Sequence, residues 1–443
     1  MNTPIHDFIK NYIESGTARL HVPGHKGAGP TGFEPWDITE IAGADELYGA
    51  CGIIAESERN AAGLFGSGAT FYSCEGSSLC IRAMLYLALS NRAPSKSRPV
   101  ALAARNAHKA FLYAAALCDF DVEWLWPEGN GASVCACPVT PEALDKRLDG
   151  MGETPFCVYV TSPDYLGGVQ DIAGLAAVCH ARGVPLIVDN AHGAYLKFLP
   201  ESMHPIDLGA DMCCDSAHKT LPVLTGGAYL HVSKAADARY IEGARDALSL
   251  FGSTSPSYLI LRSLDLCNAR LSSDWPARLR EAAGRVAAIK ARLSARGFDV
   301  LPGEPMKLAI RGDGPRLAGA LRSGGVECEY ADNGHVVMMF SPDNADGDYD
   351  RIDRALKAPV PVDHAPICTP AMPARAMTIR EAVFSASEVV PAREALGRVC
   401  ASPTVACPPA IPIVASGEVI DRAAVRALIE NGIDRVRVVR DRK

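Results

Sequence analysis

Residues 185–193 read PLIVDNAHG, an apolar run that ends in an aspartate and a glycine turn. A short apolar run bounded by turn residues is typical of a strand buried in a parallel sheet. An aspartate at the carboxyl end of such a strand lies where α/β sheets bind their ligands. The stretch therefore predicts a strand over Pro185–Asp189 and a ligand site at Asp189. Taken alone, Asp189 is equally well explained as the N-cap of the turn that follows.

Strands and helices alternate on both sides of this stretch, over about residues 60–235. This alternation predicts an α/β fold with a mostly parallel central sheet and helices on both faces. The predicted strands are Thr70–Cys74, Pro99–Ala103, Phe156–Thr161, Pro185–Asp189 and Gly227–Val232, and the predicted helices are Ser78–Leu89, His108–Leu117, Thr140–Leu148 and Ile172–Ala181.

The character of the chain changes after residue 235. One long helical stretch is predicted over Tyr258–Arg296, and the strands Met306–Arg311 and His335–Phe340 flank a helix over Arg316–Ser323. A Pro-rich linker at 358–373 then leads into a tail with its own helix and short strands. With a short N-terminal helix and a Gly- and Pro-rich arm, four parts are predicted. They are residues 1–50 (helix and arm), 51–255 (large domain), 256–360 (small α+β domain) and 361–443 (tail domain).

Composition narrows the class of protein. The chain has 443 residues, 48% hydrophobic and 21% charged, as expected for a globular enzyme of two or three parts. A net charge of −7 argues against non-specific binding to nucleic acid or an anionic membrane. The fifteen cysteines contain no Cys-x-x-Cys pair, and neither a secretory signal nor a membrane-spanning run is present. We therefore expect reduced cysteines, no metal site and a cytoplasmic protein.

Lys219 is the candidate nucleophile. It lies in DSAHKT, residues 215–220, between elements of the predicted sheet. A lysine in an enclosed, electropositive loop can form a Schiff base with a carbonyl group. A lone loop lysine, however, is far more often a solvated surface residue.

Two further segments could bind the same ligand. Gly76, Ser77 and Ser78 run from a strand into a helix, whose free N–H groups could hold a phosphate, although such a sequence is usually only a helix cap. His108 follows another apolar strand and could lie against a flat ring, although alone it is better explained as a helix-capping histidine. With Asp189 and Lys219, the four elements would hold pyridoxal phosphate at its phosphate, ring face, ring nitrogen and aldehyde.

Several longer motifs carry a resemblance to the ornithine/lysine/arginine decarboxylase family, whose members have the type I, aspartate-aminotransferase fold for pyridoxal phosphate. The resemblance covers nearly the whole chain and corresponds to a short form without the N-terminal assembly domain of larger relatives. The motifs are HVPGHKG at 21–27, TSPDYLGG at 161–168, DNAHG at 189–193, SAHK at 216–219, STSPSY at 253–258, PARE at 391–394 and PPAIP at 408–412.

The resemblance implies a role for each candidate residue. Lys219 would carry the cofactor as a Schiff base, Asp189 would pair with the pyridine nitrogen, and His192 would lie beside the ring. His108 would stack on the ring and help to direct a proton. The phosphate would be held by Gly76, Ser77, Ser78, Ser216 and His218, and by Thr254 and Ser255 across the interface of a homodimer or a small multiple of dimers.

The resemblance also implies the reaction, decarboxylation of arginine, lysine or ornithine to an amine of the polyamine pathway. Glu46, Glu56, Glu58 and Glu418 are candidates for reading the substrate side chain. Glu75 and Asn190 depart from the family pattern, which has Asn-Gly-Thr at the phosphate turn and Asp-Glu-Ala-His at the ring nitrogen. Another type I enzyme, such as an aminotransferase or lyase, and a non-catalytic homologue are the alternatives.

Overall fold

The computed structural model describes residues 1–127, 133–361, 372–403 and 410–440. Most of the predicted linker, residues 362–371, and Pro408 and Pro409 of the PPAIP motif lie outside these ranges. In the described part the chain divides into two compact units, residues 1–93 with 179–279 and residues 94–178 with 280–443. The division into four parts at residues 50, 255 and 360 stays a prediction.

The helices and strands follow in chain order. The helices are α1 (Pro4–Glu14), α2 (Ile53–Phe65), α3 (Ser77–Ser90), α4 (Lys109–Cys118), α5 (Pro141–Asp149), α6 (Ile172–Ala181), α7 (Ala217–Thr220), α8 (Ala238–Phe251), α9 (Tyr258–Leu271), α10 (Trp275–Ala295), α11 (Gly314–Ser323), α12 (Asp346–Ala355), α13 (Ile379–Phe384) and α14 (Arg422–Glu430). The strands are β1 (Ala69–Ser73), β2 (Val100–Ala104), β3 (Asp121–Leu125), β4 (Cys157–Thr161), β5 (Leu186–Asp189), β6 (Met212–Asp215), β7 (Ala228–Val232), β8 (Asp299–Val300), β9 (Lys307–Arg311), β10 (Tyr330–Ala331), β11 (His335–Met339), β12 (Ser387–Pro391), β13 (Cys400–Ser402) and β14 (Arg435–Val439).

The first unit contains the strands β1, β7, β6 and β5, in that order across the sheet. β5 and β6 are parallel, whereas β7 is antiparallel to both β6 and β1. β5, β6 and β7 are buried at every position, as expected for strands covered on both faces. Helix α3 packs against β6, β7 and α8, and its apolar residues fill the core of this unit.

The second unit contains the parallel strands β4, β2 and β3 and two small antiparallel sheets. One small sheet has the order β10-β11-β9-β8, and the other, in the tail, has the order β12-β14-β13. The tail sheet and α14 enclose a separate apolar cluster that includes Ile413, Ile420 and Val436. The predicted α/β class with parallel pairing and smaller α+β parts is therefore confirmed.

The predicted elements agree with the structure within two residues at each end, with one exception. The long helix predicted over Tyr258–Arg296 is wrong, because α9 and α10 are separate helices. Ser272 and Ser273 donate their hydroxyls to the carbonyls of Ala269 and Arg270, so these side chains bind the backbone where the helix ends. Buried Leu271 and Trp275 continue the apolar period across the break, which made it look continuous.

The N-terminal helix is attached to the first unit through a buried carboxylate. Asp265 of α9 accepts hydrogen bonds from the backbone N–H groups of Ile5 and His6, at 3.0 and 2.9 Å, and from the hydroxyl of Ser57 at 2.6 Å. The two backbone donors belong to the first turn of α1, where N–H groups lack partners within the helix. Burial raises the pKa of Asp265 to about 6. In the described ranges no helix is both long and apolar enough to cross a membrane.

Substitution of Asp265→Asn is expected to lower the free energy of unfolding by about 1–3 kcal/mol, because an amide oxygen facing Ile5 and His6 leaves the amide N–H against the donating hydroxyl of Ser57. The pKa of Asp265 in the folded protein lies above its usual value of 3.8, so the folded state binds the proton more tightly than the unfolded state. The stability that this carboxyl contributes is therefore complete below about pH 3.8 and is lost as the pH rises through about 6. Urea unfolding at about pH 5 and about pH 7 should therefore show the larger difference between wild type and variant at the lower pH. A difference that grows with pH would contradict the raised pKa.

Candidate active site

The predicted phosphate turn lies between β1 and α3. Gly76 has a φ of +70°, a backbone conformation that favours glycine, and its N–H donates to the carbonyl of Gly226 at 2.7 Å. Within the described part of the chain no side chain caps α3, and its first turn contains no acidic residue. The N–H groups of this turn and the positive end of the helix dipole suit an anion such as a phosphate.

Ser216 and His218 lie beside this turn. The hydroxyl of buried Ser216 donates to that of Ser77 at 2.8 Å. The His218 imidazole Nδ1 lies 3.0 Å from the carbonyl of Gly227, and a Cβ added at Gly76 would lie 3.9 Å from its Cε1. Burial and the neighbouring Lys219 lower the pKa of His218, so a neutral ring donates Nδ1–H to that carbonyl. Four of the predicted phosphate contacts, Gly76, Ser77, Ser216 and His218, are therefore close together.

Lys219 lies on the short helix α7, three residues after Ser216. Its Nζ is 3.0 Å from Nε2 of His192, which belongs to the turn after β5. An ammonium group can only donate, so Nε2 of His192 accepts from protonated Lys219. His192 is buried, whereas Lys219 is exposed in this chain.

Asp189 ends β5 and is buried, with 3% of its surface exposed. Its Oδ1 accepts hydrogen bonds from the N–H of Ala191 at 3.1 Å and from the thiol of Cys214 at 3.7 Å. The bond from Ala191 shows that Asp189 also stabilises its own turn, as the capping interpretation requires. These two donors are neutral, and a cationic N–H such as that of a protonated pyridine would complement the carboxylate.

The carboxylate of Glu75, the departure at the phosphate turn, binds a neighbouring loop. Its Oε1 accepts from the backbone N–H of Ser253 at 2.7 Å. Thr254 and Ser255 follow in the same exposed loop, where the N–H of Ser255 donates to the hydroxyl of Ser253 at 3.2 Å. Glu75 thus connects the segment of Thr254 and Ser255 to the turn of Gly76.

His108 is the N-cap of α4, and its Nδ1 accepts from the N–H of Ala110 at 3.1 Å. The capping interpretation of this residue is confirmed. His108 belongs to the second unit, and its stacking on a cofactor ring stays a prediction.

Sequence reasoning missed a buried cluster behind the site, formed by His204, Asp215 and His231, all 0% exposed. Asp215 immediately precedes the predicted Ser216–Lys219 segment, but the two histidines are distant in sequence. The sequence signal that could have indicated this cluster is Asp215 itself, an acidic residue at the end of an apolar strand. Asp215 and His231 meet because β6 and β7 are neighbours in the sheet, whereas His204 reaches Asp215 from the loop before β6.

Comparison with known proteins places this geometry in a family. The family described as "Orn/Lys/Arg decarboxylase, major domain" matches residues 3–296. An arginine decarboxylase of Bacillus subtilis is 27% identical over 97% of this chain and 93% of its own length, and one of Halalkalibacterium halodurans is 28% identical over the same shares. The solved structure of the constitutive lysine decarboxylase of E. coli aligns with a TM-score of 0.80 at 17% identity, covering 99% of this chain and 82% of its own.

Substitution of Gly76→Ala is expected to cost about 1–2 kcal/mol of stability, because an alanine is strained at a φ of +70° although its Cβ meets no close atom. Gly63 of α2 provides the matched control, since it lies within a helix and a Cβ there would also meet nothing within 4 Å. Gly63→Ala should raise stability by about 0.5–1 kcal/mol. Equal effects of the two substitutions in thermal unfolding would show that the backbone of Gly76 is not strained for alanine.

Proposed function

The chain belongs to the ornithine/lysine/arginine decarboxylase family, and we propose that it removes the α-carboxyl group of a basic amino acid as carbon dioxide, with pyridoxal phosphate as cofactor. The observation that carries this proposal is the position of Lys219, whose Nζ contacts His192 on the turn that begins with Asp189. The family match covers both segments. The amine and the carbon dioxide together account for all atoms of the substrate and one added proton.

The residues of the first unit fit this cofactor. The uncapped start of α3, with the hydroxyls of Ser77 and Ser216, suits a phosphate dianion. The buried carboxylate of Asp189 suits a protonated ring nitrogen, and the amine of Lys219 suits an aldehyde. When bound, pyridoxal phosphate supplies an electrophilic aldehyde and a ring that accepts the electron pair of the breaking bond.

The chain contributes electrostatics and protons to the reaction. Asp189 keeps the proton on the ring nitrogen, because a buried anion favours a cation beside it. Nε2 of His192, which accepts the hydrogen bond of the Lys219 ammonium, is placed to take that proton as a base and leave the neutral amine needed for attack on a carbonyl. We assign delivery of the new proton at the substrate Cα to His108 or to Nζ of Lys219.

Arginine is the first substrate to test, because several relatives that align along nearly the whole chain are named arginine decarboxylases. Lysine and ornithine follow. Glu58 and Glu418 are buried and paired with Arg245 and Arg105, respectively, so we do not propose them as readers of a substrate cation. Glu46 and Glu56 remain candidates.

We propose further that two copies of the chain form the active site together. Thr254 and Ser255 are exposed, and Glu75 connects their loop to the phosphate turn, so they are available to the phosphate of a second copy. Formation of a homodimer or a small multiple of dimers, cytoplasmic location and a place in polyamine synthesis stay predictions.

Reduction with borohydride in the presence of pyridoxal phosphate should attach the cofactor irreversibly to Lys219, because a lysine Schiff base is reduced to a stable amine. Peptide mass mapping locates the modified residue. Lys197 is a matched control in the same unit, since its ammonium pairs with Asp207 at 2.7 Å. Modification of Lys197 and not of Lys219 would exclude the proposed attachment.

Asp189→Asn is expected to lower kcat by about a hundredfold or more, because the ring nitrogen would lose its anionic partner. The variant should still be modified at Lys219 by borohydride, which separates loss of electrostatics from loss of cofactor. Unchanged kcat in a fully loaded variant would show that Asp189 does not act on the ring.

Release of carbon dioxide, measured with arginine, lysine and ornithine in parallel, tests the reaction and the substrate class. We expect release with at least one of them and no keto acid. Formation of keto acid without carbon dioxide would identify an aminotransferase. A protein that loads the cofactor and converts none of the three would contradict the proposed function.

A further inference from the structure

Asp215 is the centre of a buried hydrogen-bond network in the first unit. Its Oδ2 lies 3.1 Å from Nε2 of His204 and 3.2 Å from Nε2 of His231, and its Oδ1 accepts from Nδ2 of Asn190 at 2.6 Å. Asn190, His204, Asp215 and His231 are each 0% exposed. The ring of Phe65 covers both imidazoles, with centroid distances of 5.3 and 4.4 Å.

The contacts of Nδ1 in each imidazole indicate which ring nitrogen carries the proton. Nδ1 of His204 accepts the N–H of Ile206 at 3.4 Å, so the proton of a neutral ring is on Nε2 and points to Asp215. Nδ1 of His231 lies 2.8 Å from the hydroxyl of Thr70. Burial raises the pKa of Asp215, but the two imidazoles outweigh it and hold that pKa well below its usual range. Burial lowers the pKa of His231, which favours the neutral form of that ring beside the Asp215 carboxylate.

A metal ion is a poor explanation of the same cluster. One ligand atom from each of His204, Asp215 and His231 lies within 4.8 Å of the others, which is close enough for a shared ion. A metal would need the lone pair of Nε2, whereas the contact of Ile206 already uses the Nδ1 lone pair of neutral His204. The nitrogen–oxygen distances of 3.1 and 3.2 Å are those of N–H···O hydrogen bonds.

The network adjoins the proposed cofactor site through the chain neighbours Asn190 and Asp215. Asn190 follows Asp189, and its backbone N–H donates to the carbonyl of Cys214 at 3.0 Å, in the register that pairs Asp189 with Cys214. Asp215 precedes Ser216, which contacts Ser77. The bond between Asn190 and Asp215 therefore joins the residue after the ring-nitrogen carboxylate to the residue before the phosphate-binding serine.

The bond to Asp215 determines the orientation of the Asn190 side-chain amide. With Nδ2 on Asp215, Oδ1 has no hydrogen-bond partner among the described residues. A buried unpaired carbonyl costs free energy, so the bond to the carboxylate must outweigh that cost. A glutamate at this position, as in the family pattern, would place a second carboxylate beside buried Asp215 and repel it.

We propose that Asp215, oriented by His204 and His231, is a positioning residue that holds Asp189 and the Ser216–Lys219 segment in the geometry for cofactor binding through Asn190. Asn190 is then the hydrogen-bond partner that Asp215 requires at the position where the family usually has a glutamate. The inference rests on the proposed function only in taking Asp189 and Lys219 as the cofactor-binding residues.

The test measures the dissociation constant of pyridoxal phosphate for the full-length protein by absorbance and the thermal unfolding of the cofactor-free protein. Asp215→Asn and Asn190→Asp should each raise the dissociation constant about tenfold, because the first removes the negative charge that three N–H donors face and the second places two carboxylates together. The double variant restores an amide–carboxylate pair with reversed polarity and should return to within about threefold of wild type.

Asp265→Asn is the matched control, since Asp265 is an equally buried carboxylate with three donors in the same unit. It should lower the unfolding temperature and leave the dissociation constant unchanged. If Asp215→Asn behaves in the same way, the network is only structural and the proposal is wrong. Stoichiometric metal in the purified wild type, removed by a chelator with loss of cofactor affinity, would also overturn it. Wild type that binds the cofactor without releasing carbon dioxide would defeat the proposed reaction but not this inference.

Discussion

A carboxylate buried at the end of a β-strand has to be surrounded by N–H donors, and the first unit is organised by this constraint. Removal of Asp215 from water costs several kcal/mol, and three side-chain N–H groups from three separate segments offset that cost. Those segments are the turn after β5, the loop before β6 and β7 itself. Stabilising one charge therefore brings together the elements that carry the proposed cofactor-binding residues Asp189, Ser216 and Lys219.

The resulting site separates two tasks. Neutral groups lie at the start of α3, the proposed phosphate site, where Glu75 accepts the N–H of Ser253. Anionic groups lie deeper, at the ends of β5 and β6, where they favour a cation on the ring side. Lys219 follows Ser216 and His218 in the chain, and its Nζ contacts the imidazole of His192 on the turn after β5. Such a gradient of charge is what a ligand with a phosphate at one end and a protonated nitrogen at the other requires.

Most of the strands and the order of the site motifs could be predicted, because buried apolar runs bounded by glycine and polar residues carry a local signal. β6 was not predicted as a strand, since MCCD has neither alternation nor turn residues. The Asp215 network was out of reach, because its partners come from positions 190, 204 and 231 and are joined only by tertiary packing. The contact of Glu75 with Ser253 likewise spans 178 positions, so the chain alone could not explain how the carboxylate is tolerated.

The thiol of Cys214 has a further consequence. It lies 3.7 Å from Oδ1 of Asp189, fully buried, and burial raises its pKa well above the usual value, so it remains a thiol and donates its hydrogen. The S–H stretch absorbs in a region of the infrared spectrum that is free of other protein bands, and its frequency depends on the strength of the acceptor. The chain thus contains an intrinsic vibrational reporter on the carboxylate of Asp189, and a difference spectrum against Cys214→Ala isolates its band from those of the other cysteines.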